Sequence, residues 1–335
     1  MDENTPKEVP TEEAHSLGMP ILEYIEKHLH EGELPENFFI AGADNRSSAK
    51  WAPGAMDGML LYHMTPYQAD EETKDKILKA LTLISEEDNS EHIPQILHIF
   101  EQLEKKASVM RMYDTMVCVM LEHISDLNVE NLLKFGDYLI SFGTSFMVVK
   151  FGLTLLSIFT DQLPFIKEIN MSLGAYDEFT WFAARYLSSR ACRDGNTALF
   201  QLAKHVHGWG RIHAVNYLRP ETEEISDWIL FEGAENTIIP QYSADLCLWK
   251  AGALERLERG VSEAEFTAIG KLLEYSLDEG PCLGISDADR LLPAYLSAAN
   301  HFPLNRGLVR SICYYSFRTV MDPHIRETAE QLLRG

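Results

Sequence analysis

The chain has 335 residues, of which 46% are hydrophobic and 24% charged, so it holds enough apolar material for a sizeable core and is not wholly disordered. It carries 51 acidic residues against 29 lysines and arginines, a formal net charge of −22. A field of that sign repels phosphate backbones, which argues against general nucleic-acid binding. It favours solubility and would suit a basic protein partner.

The cysteines are few and scattered. The chain has five of them and no CxxC pair, which argues against a disulfide scaffold and against a structural zinc site. The first residues, MDENTPKEVPTEEAHS, are acidic and lack the basic and apolar regions of a signal peptide. We therefore expect a cytoplasmic protein that needs no metal and no cofactor.

The predicted elements begin after an acidic tail, residues 1–15. Residues 16–58 should hold one short amphipathic helix, PILEYIEKHLHEG, ended by Gly32, and then an irregular loop rich in Gly, Pro, Asn and Ser. Residues 59–335 should form one helical-repeat domain, because apolar residues recur there every three or four positions. Alternating runs of polar and β-branched residues are nearly absent, so strands should be few or none.

One stretch, YLISFGTSFMVVKFGLTLLSIF at residues 138–159, approaches the length of a bilayer span. Gly143, Thr144 and Ser145 divide it, and Lys150 lies in its middle. These interruptions favour a buried helix, a turn and a second buried helix over a membrane span.

The helices appear in pairs. Residues 92–124 and 129–159 each indicate helix, turn and helix, and a shift of 36 residues aligns Leu97 with Leu133 and Met120 with Leu156. A period of that size is typical of two-helix solenoid repeats. Further candidate pairs span residues 177–206, 222–250, 262–301 and 305–333. The sequence thus predicts an all-α fold, either an α-solenoid of antiparallel helix pairs or an irregular helical bundle.

The segment HVHGWGRIHAVNYL, residues 205–218, concentrates three histidines, a tryptophan and an arginine. His205 and His207 are two positions apart and would lie on opposite sides of a helix, so they cannot chelate one ion there. Two glycines bracket Trp209, which suggests a tight corner between helices. The alternative is a groove that binds a ligand. Its lining would be His207, Trp209, Arg211 and His213.

The block WAPGAMDGMLLYHM, residues 51–64, predicts a helix that begins near Ala55 after a Pro-Gly turn. Asp57 would lie in its first turn, where the helix dipole alone stabilises a carboxylate. Gly54 and Gly58 permit close approach by another helix or by a ligand. The block is therefore either a capped helix entering the core or part of a site in which Asp57 and His63 act as a catalytic pair.

The sequence contains no Walker A motif, no GxGxxG after a strand, no GxSxG elbow and no kinase motif set. The blocks WAPGAMDGMLLYH and HGWGRIHAVNYLRPET resemble a family of bacterial proteins, some of them labelled limonene hydroxylase. That resemblance implies a hydroxylase, which would need haem, flavin or iron, and the sequence shows a motif for none of them. The paired helices resemble HEAT and armadillo-like repeats, a resemblance that implies partner binding.

These patterns leave three functional expectations. The first is an interaction or scaffold module that binds a protein or peptide partner. The second is a hydrolase or transferase whose site forms where residues 51–64 meet residues 205–213, with Asp57 or His207 as acid or base and Arg211 as anchor for an anion. The third is a structural protein in which these residues only shape corners.

Overall fold

The computed structural model describes residues 18–40, 51–87, 89–159, 163–189, 192–278 and 284–334, so the predicted tail at residues 1–15 lies outside the described residues. Over these ranges the chain is all-α, as predicted, and the only β pairing is a single bridge between His30 and Glu33. No helix in the described ranges has both the length and the apolar character needed to cross a bilayer.

The α-helices of the described residues are α1 (Ile21–His28), α2 (Ala55–His63), α3 (Glu71–Ser85), α4 (Ile93–Lys106), α5 (Val109–Glu122), α6 (Val129–Phe142), α7 (Phe146–Leu156), α8 (Pro164–Gly174), α9 (Asp177–Ser188), α10 (Gly195–His205), α11 (Trp209–Tyr217), α12 (Glu223–Phe231), α13 (Ala244–Lys250), α14 (Ala253–Arg259), α15 (Glu263–Leu277), α16 (Ala288–Ala298), α17 (Arg306–Arg318) and α18 (Pro323–Arg334). Short 3-10 turns precede α4 and α13 and follow α16.

The chain divides into two compact units, residues 1–210 and 211–335, and the division falls inside α11. The boundary predicted from the sequence, between residues 58 and 59, is a position within α2. The N-terminal segment belongs to the core of the first unit. Its helix α1 packs against α6 and α8, with Ile21 and Ile25 almost completely buried.

In the first unit, two predicted helix pairs correspond to α4 with α5 and α6 with α7, whose first helices begin 36 residues apart at Ile93 and Val129. The interrupted apolar stretch contains the C-terminal end of α6 and all of α7, two helices that pack closely on each other, as predicted. Helices two apart in the chain also contact, namely α3 with α5, α5 with α7, and α7 with α9.

In the second unit, α13 contacts α15, α14 contacts α16, α15 contacts α17 and α16 contacts α18. The predicted start of α15 is confirmed, because Ser262 and Glu265 form a capping box. The sequence pairs did not include α8, α11 or α14. These helices have 11, 9 and 7 residues respectively.

Candidate functional site

The turn before α2 brings the 51–64 block against α9. Gly54 has a φ of 73°, in the left-handed region that favours glycine, and α2 begins at Ala55, as predicted. No side chain of this turn caps the helix. The Gly54 N–H instead donates to Glu178 Oε2 at 2.8 Å. A carboxylate from the first turn of α9 therefore binds the backbone at the start of α2.

A buried lysine joins this turn to two carboxylates. Lys150 Nζ, from α7, donates to Asp57 Oδ2 at 2.6 Å and to Glu178 Oε1. All three side chains are at most 7% exposed. The sequence expectation that the helix dipole alone stabilises Asp57 is therefore corrected, because the ammonium of Lys150 is its direct partner. His63 lies in the last turn of the same helix, α2, and is exposed.

Trp209 packs on the glycines of the 51–64 block. A Cβ atom at Gly58 would overlap the indole ring, and one at Gly54 would lie 3.1 Å from Trp209 Cβ and 2.7 Å from the Asp177 carbonyl oxygen. Trp209 is only 3% exposed. Residues 51–64 therefore meet the part of the 205–213 block that belongs to the first unit, and Trp209 makes the contact.

The first turn of α11 is held by a carboxylate from α9. The backbone N–H groups of Gly208, Trp209 and Gly210 donate to Asp177, which thus caps the start of α11. A Cβ atom at Gly210 would overlap Asp177 Oδ1, so glycine permits this approach. Burial is the main influence on this carboxyl group and raises its pKa to about 6.

At the other end of α11, a lysine binds the last carbonyl oxygens. Lys250 Nζ donates to the carbonyl oxygens of Val215 at 2.8 Å, Asn216 at 2.7 Å and Leu218 at 2.7 Å. A cation is favoured at a helix C-terminus. Burial lowers the pKa of this ammonium group to about 8.

The remaining candidate site residues of the 205–213 block differ in how exposed their side chains are. Arg211 is 5% exposed, donates to the Glu232 carbonyl oxygen at 3.2 Å and lies over the Trp228 ring at 5.0 Å. His213 is 1% exposed, whereas His207 is exposed between α10 and α11. This burial does not support an open groove lined by Trp209, Arg211 and His213.

Sequence patterns did not identify the buried charged residues of these contacts, namely Lys150, Asp177, Glu178 and Lys250. A lysine within an apolar helix is the one available signal, because a buried charge requires a partner. The sequence does not identify that partner among 51 acidic residues. Among the residues that the structure describes, no group of three or more His, Cys, Asp or Glu side chains is placed to hold a metal ion.

An open groove of about 610 Å³ lies between α12 and α15 in the second unit. Leu230 and Phe231 of α12 form one side, and Ala264, Thr267 and Ala268 of α15 form part of the other. We call this feature the α12–α15 groove. It combines an apolar wall with small side chains, a surface that accepts another helix closely.

Comparison with protein-family models, with curated proteins and with solved structures finds no match for this chain.

The buried cluster of Asp57, Lys150 and Glu178 predicts a large effect of Lys150→Met. Methionine keeps most of the volume but leaves two buried carboxylates without their cation, so we expect a loss of about 3–5 kcal/mol in the free energy of unfolding. Urea unfolding followed by circular dichroism measures this loss. The triple variant D57N/K150M/E178Q should recover part of it, because no ionised group then remains.

Lys134→Met is the matched control, since Lys134 pairs with Glu130 on the surface of α6. We expect it to change stability by less than about 0.5 kcal/mol. A Lys150→Met variant as stable as this control would contradict the buried ion pairs.

The capping carboxylate of Asp177 predicts a pH dependence. Its pKa in the folded protein, about 6, exceeds its ordinary value of 3.8, so the folded chain binds this proton more tightly than the unfolded chain. Asp177 therefore lowers stability as pH rises from about 4 to about 6, with no further change above that range. Asp177→Asn should remove this contribution, so the stability of the variant relative to the parent should rise across the same window.

Urea unfolding at several pH values between about 4 and 7.5 tests this expectation. Asp75→Asn, at an exposed position on α3, serves as the control and should follow the parent at every pH. A constant difference between the parent and Asp177→Asn across the window would disprove the titration of Asp177.

Proposed function

We propose that this protein is an interaction module that binds an amphipathic helix of a protein partner in the α12–α15 groove. The proposal is based on the groove itself, an open and mainly apolar channel between the packed helices α12 and α15. Helix-in-groove recognition needs an apolar groove of this kind.

The small side chains of α15 support a helical occupant. Ala264 and Ala268 lie one turn apart along α15, so a helix that crosses them can approach the α15 backbone closely. Phe231, which is 43% exposed, forms the opposite edge and offers an aromatic contact. Side chains at successive turns of the partner helix would then fill the space between α12 and α15.

Charge favours a basic helix as the occupant. Glu263 is exposed at one edge of the groove, and Glu235 at another edge pairs with Lys271 at 2.7 Å. The whole chain carries a net charge of −22, a field that attracts a cationic partner and accelerates its encounter. Lysine or arginine residues beside the apolar face of the partner would complement this edge.

We also propose that the helices of the second unit form a repeat structure. Four successive contacts between helices two apart in the chain, from α13 with α15 to α16 with α18, support a stacked arrangement like that of solenoid repeats. Stacking of this kind leaves grooves between neighbouring helices, where such proteins bind their partners.

The alternative of a hydrolase or transferase at the two glycine-rich blocks has less support. The Asp57 carboxylate holds Lys150, and the Arg211 guanidinium holds the Glu232 carbonyl oxygen. Both groups are buried and engaged in contacts that stabilise the fold. A role as general acid or anion anchor would require each of them to leave such a contact.

Ala264→Trp tests the proposed function. The indole would fill the floor of the α12–α15 groove at an exposed helical position, so the fold should tolerate it while the partner helix is excluded. We expect affinity purification from the native lysate to recover a stoichiometric partner with the parent protein and to lose it with Ala264→Trp. A peptide covering the basic amphipathic helix of that partner should then bind the parent in fluorescence anisotropy.

Ser297→Trp, at an exposed position on α16, is the matched control and should retain the partner. Circular dichroism should show equal helicity for both tryptophan variants. The proposal is wrong if the parent recovers no stoichiometric partner, or if Ala264→Trp retains the partner as well as the control does.

A further inference from the structure

A second groove, of about 420 Å³, lies between α17 and the C-terminal end of α15. One wall consists of Arg310, Tyr314 and Arg318, which follow one another at intervals of one turn on α17. Leu277, the last residue of α15, and Gly284 contribute to the other side.

The polar side chains that line this groove are cationic or neutral. Among the described residues, its polar side chains are two arginines, two tyrosines, two serines and a threonine, and no described carboxylate lines it. Within the described part of the chain, Arg310 and Arg318 take part in no ion pair, unlike Arg290, Arg326 and Arg334. Two guanidinium groups that form no ion pair with any described residue and lie beside tyrosines point to an anionic ligand.

An exposed apolar surface continues beyond the groove. Tyr314, Phe317 and Val320 are 63%, 66% and 89% exposed. Val320 also has a φ of 56°, a rare conformation for a β-branched residue, which places it in the tight turn after α17. Arg310, Tyr314, Phe317, Arg318 and Val320 together form what we call the α17 strip. The strip runs along more than two turns of α17 and into the turn that follows, an extent that suits a peptide better than a small molecule. Tyr and Arg are also residue types enriched in interfaces.

We propose that the α17 strip binds an acidic peptide segment of a partner protein in extended conformation. Arg310 and Arg318 are eight residues apart on one helix, so their Cα atoms lie about 12 Å apart. In an extended peptide, residues i and i+4 are separated by about 13 Å, and residues i, i+2 and i+4 share one face. The matching segment therefore has Asp or Glu at i and i+4, which meet the two arginines, and an apolar or aromatic residue at i+2, which packs on Tyr314.

The charge preference separates this surface from the α12–α15 groove. That groove has glutamates at its edge and suits a basic helix, whereas the α17 strip presents arginines and suits an acidic strand-like segment. The two proposals can therefore fail independently. Ala264→Trp, which blocks the first, should leave binding to the α17 strip unchanged.

Fluorescence anisotropy with a labelled peptide whose core is Asp-Ser-Phe-Ser-Asp tests the inference. We expect the full-length protein to bind it at low salt and to bind it more weakly as salt rises, because exposed charge pairs are screened. Arg310→Glu with Arg318→Glu should lower the affinity at least about tenfold. A peptide with the core Asp-Ser-Phe-Asp-Ser, whose acids are spaced three apart, should bind several-fold more weakly, because both acids cannot then face α17.

Arg193→Glu with Arg290→Glu makes the same change in net charge at exposed arginines outside the strip and should retain the parental affinity. The inference is overturned if this control weakens binding as much as the Arg310 and Arg318 variant does, or if the latter binds like the parent. It is overturned equally if sedimentation shows that a second copy of the chain occupies the strip, as a dimer that dissociates in the Arg310 and Arg318 variant.

Discussion

A single buried ammonium group, shared by two carboxylates, ties together three helices that are far apart in sequence. Lys150 of α7 binds Asp57 of α2 and Glu178 of α9, and Glu178 also accepts the Gly54 N–H at the start of α2. Ion pairs of this kind contribute little compared with a well-packed apolar core, but the loss of one member is costly. The cluster therefore constrains where α2 can lie. Trp209 occupies the space that Gly54 and Gly58 leave open.

Charged side chains also stabilise α11, a short helix of modest intrinsic stability. Its first turn donates to the carboxylate of Asp177, and its last carbonyl oxygens accept from the ammonium of Lys250. Each charge has the sign that the helix dipole favours at its end. The buried polar residues of the two glycine-rich blocks are engaged in such contacts. We therefore propose that a partner binds elsewhere, at the α12–α15 groove and the α17 strip of the second unit.

Local signals in the sequence predicted much of the fold. Periodicity located α4 to α7, the Ser262 capping box located α15, and the Pro-Gly turn placed Asp57 in the first turn of α2. What the sequence could not supply was pairing across long separations, since Lys150 is 93 residues from Asp57. Nor could it show that Arg211 is buried, because arginine is an exposed residue in most contexts and its partners here, a backbone carbonyl group and an indole, leave no sequence signature.

Within the first unit, residues 51–64 and Trp209 form one packed structure, with the indole ring on Gly58. A double-mutant cycle tests it most directly. Gly58→Ala should destabilise the parent, because the added methyl group would overlap the indole ring, and should cost much less when Trp209 is replaced by leucine. We predict a coupling energy of about 1–3 kcal/mol between the two positions. Effects that add within about 0.5 kcal/mol would mean that the indole of Trp209 does not lie on residue 58, which would contradict this packing.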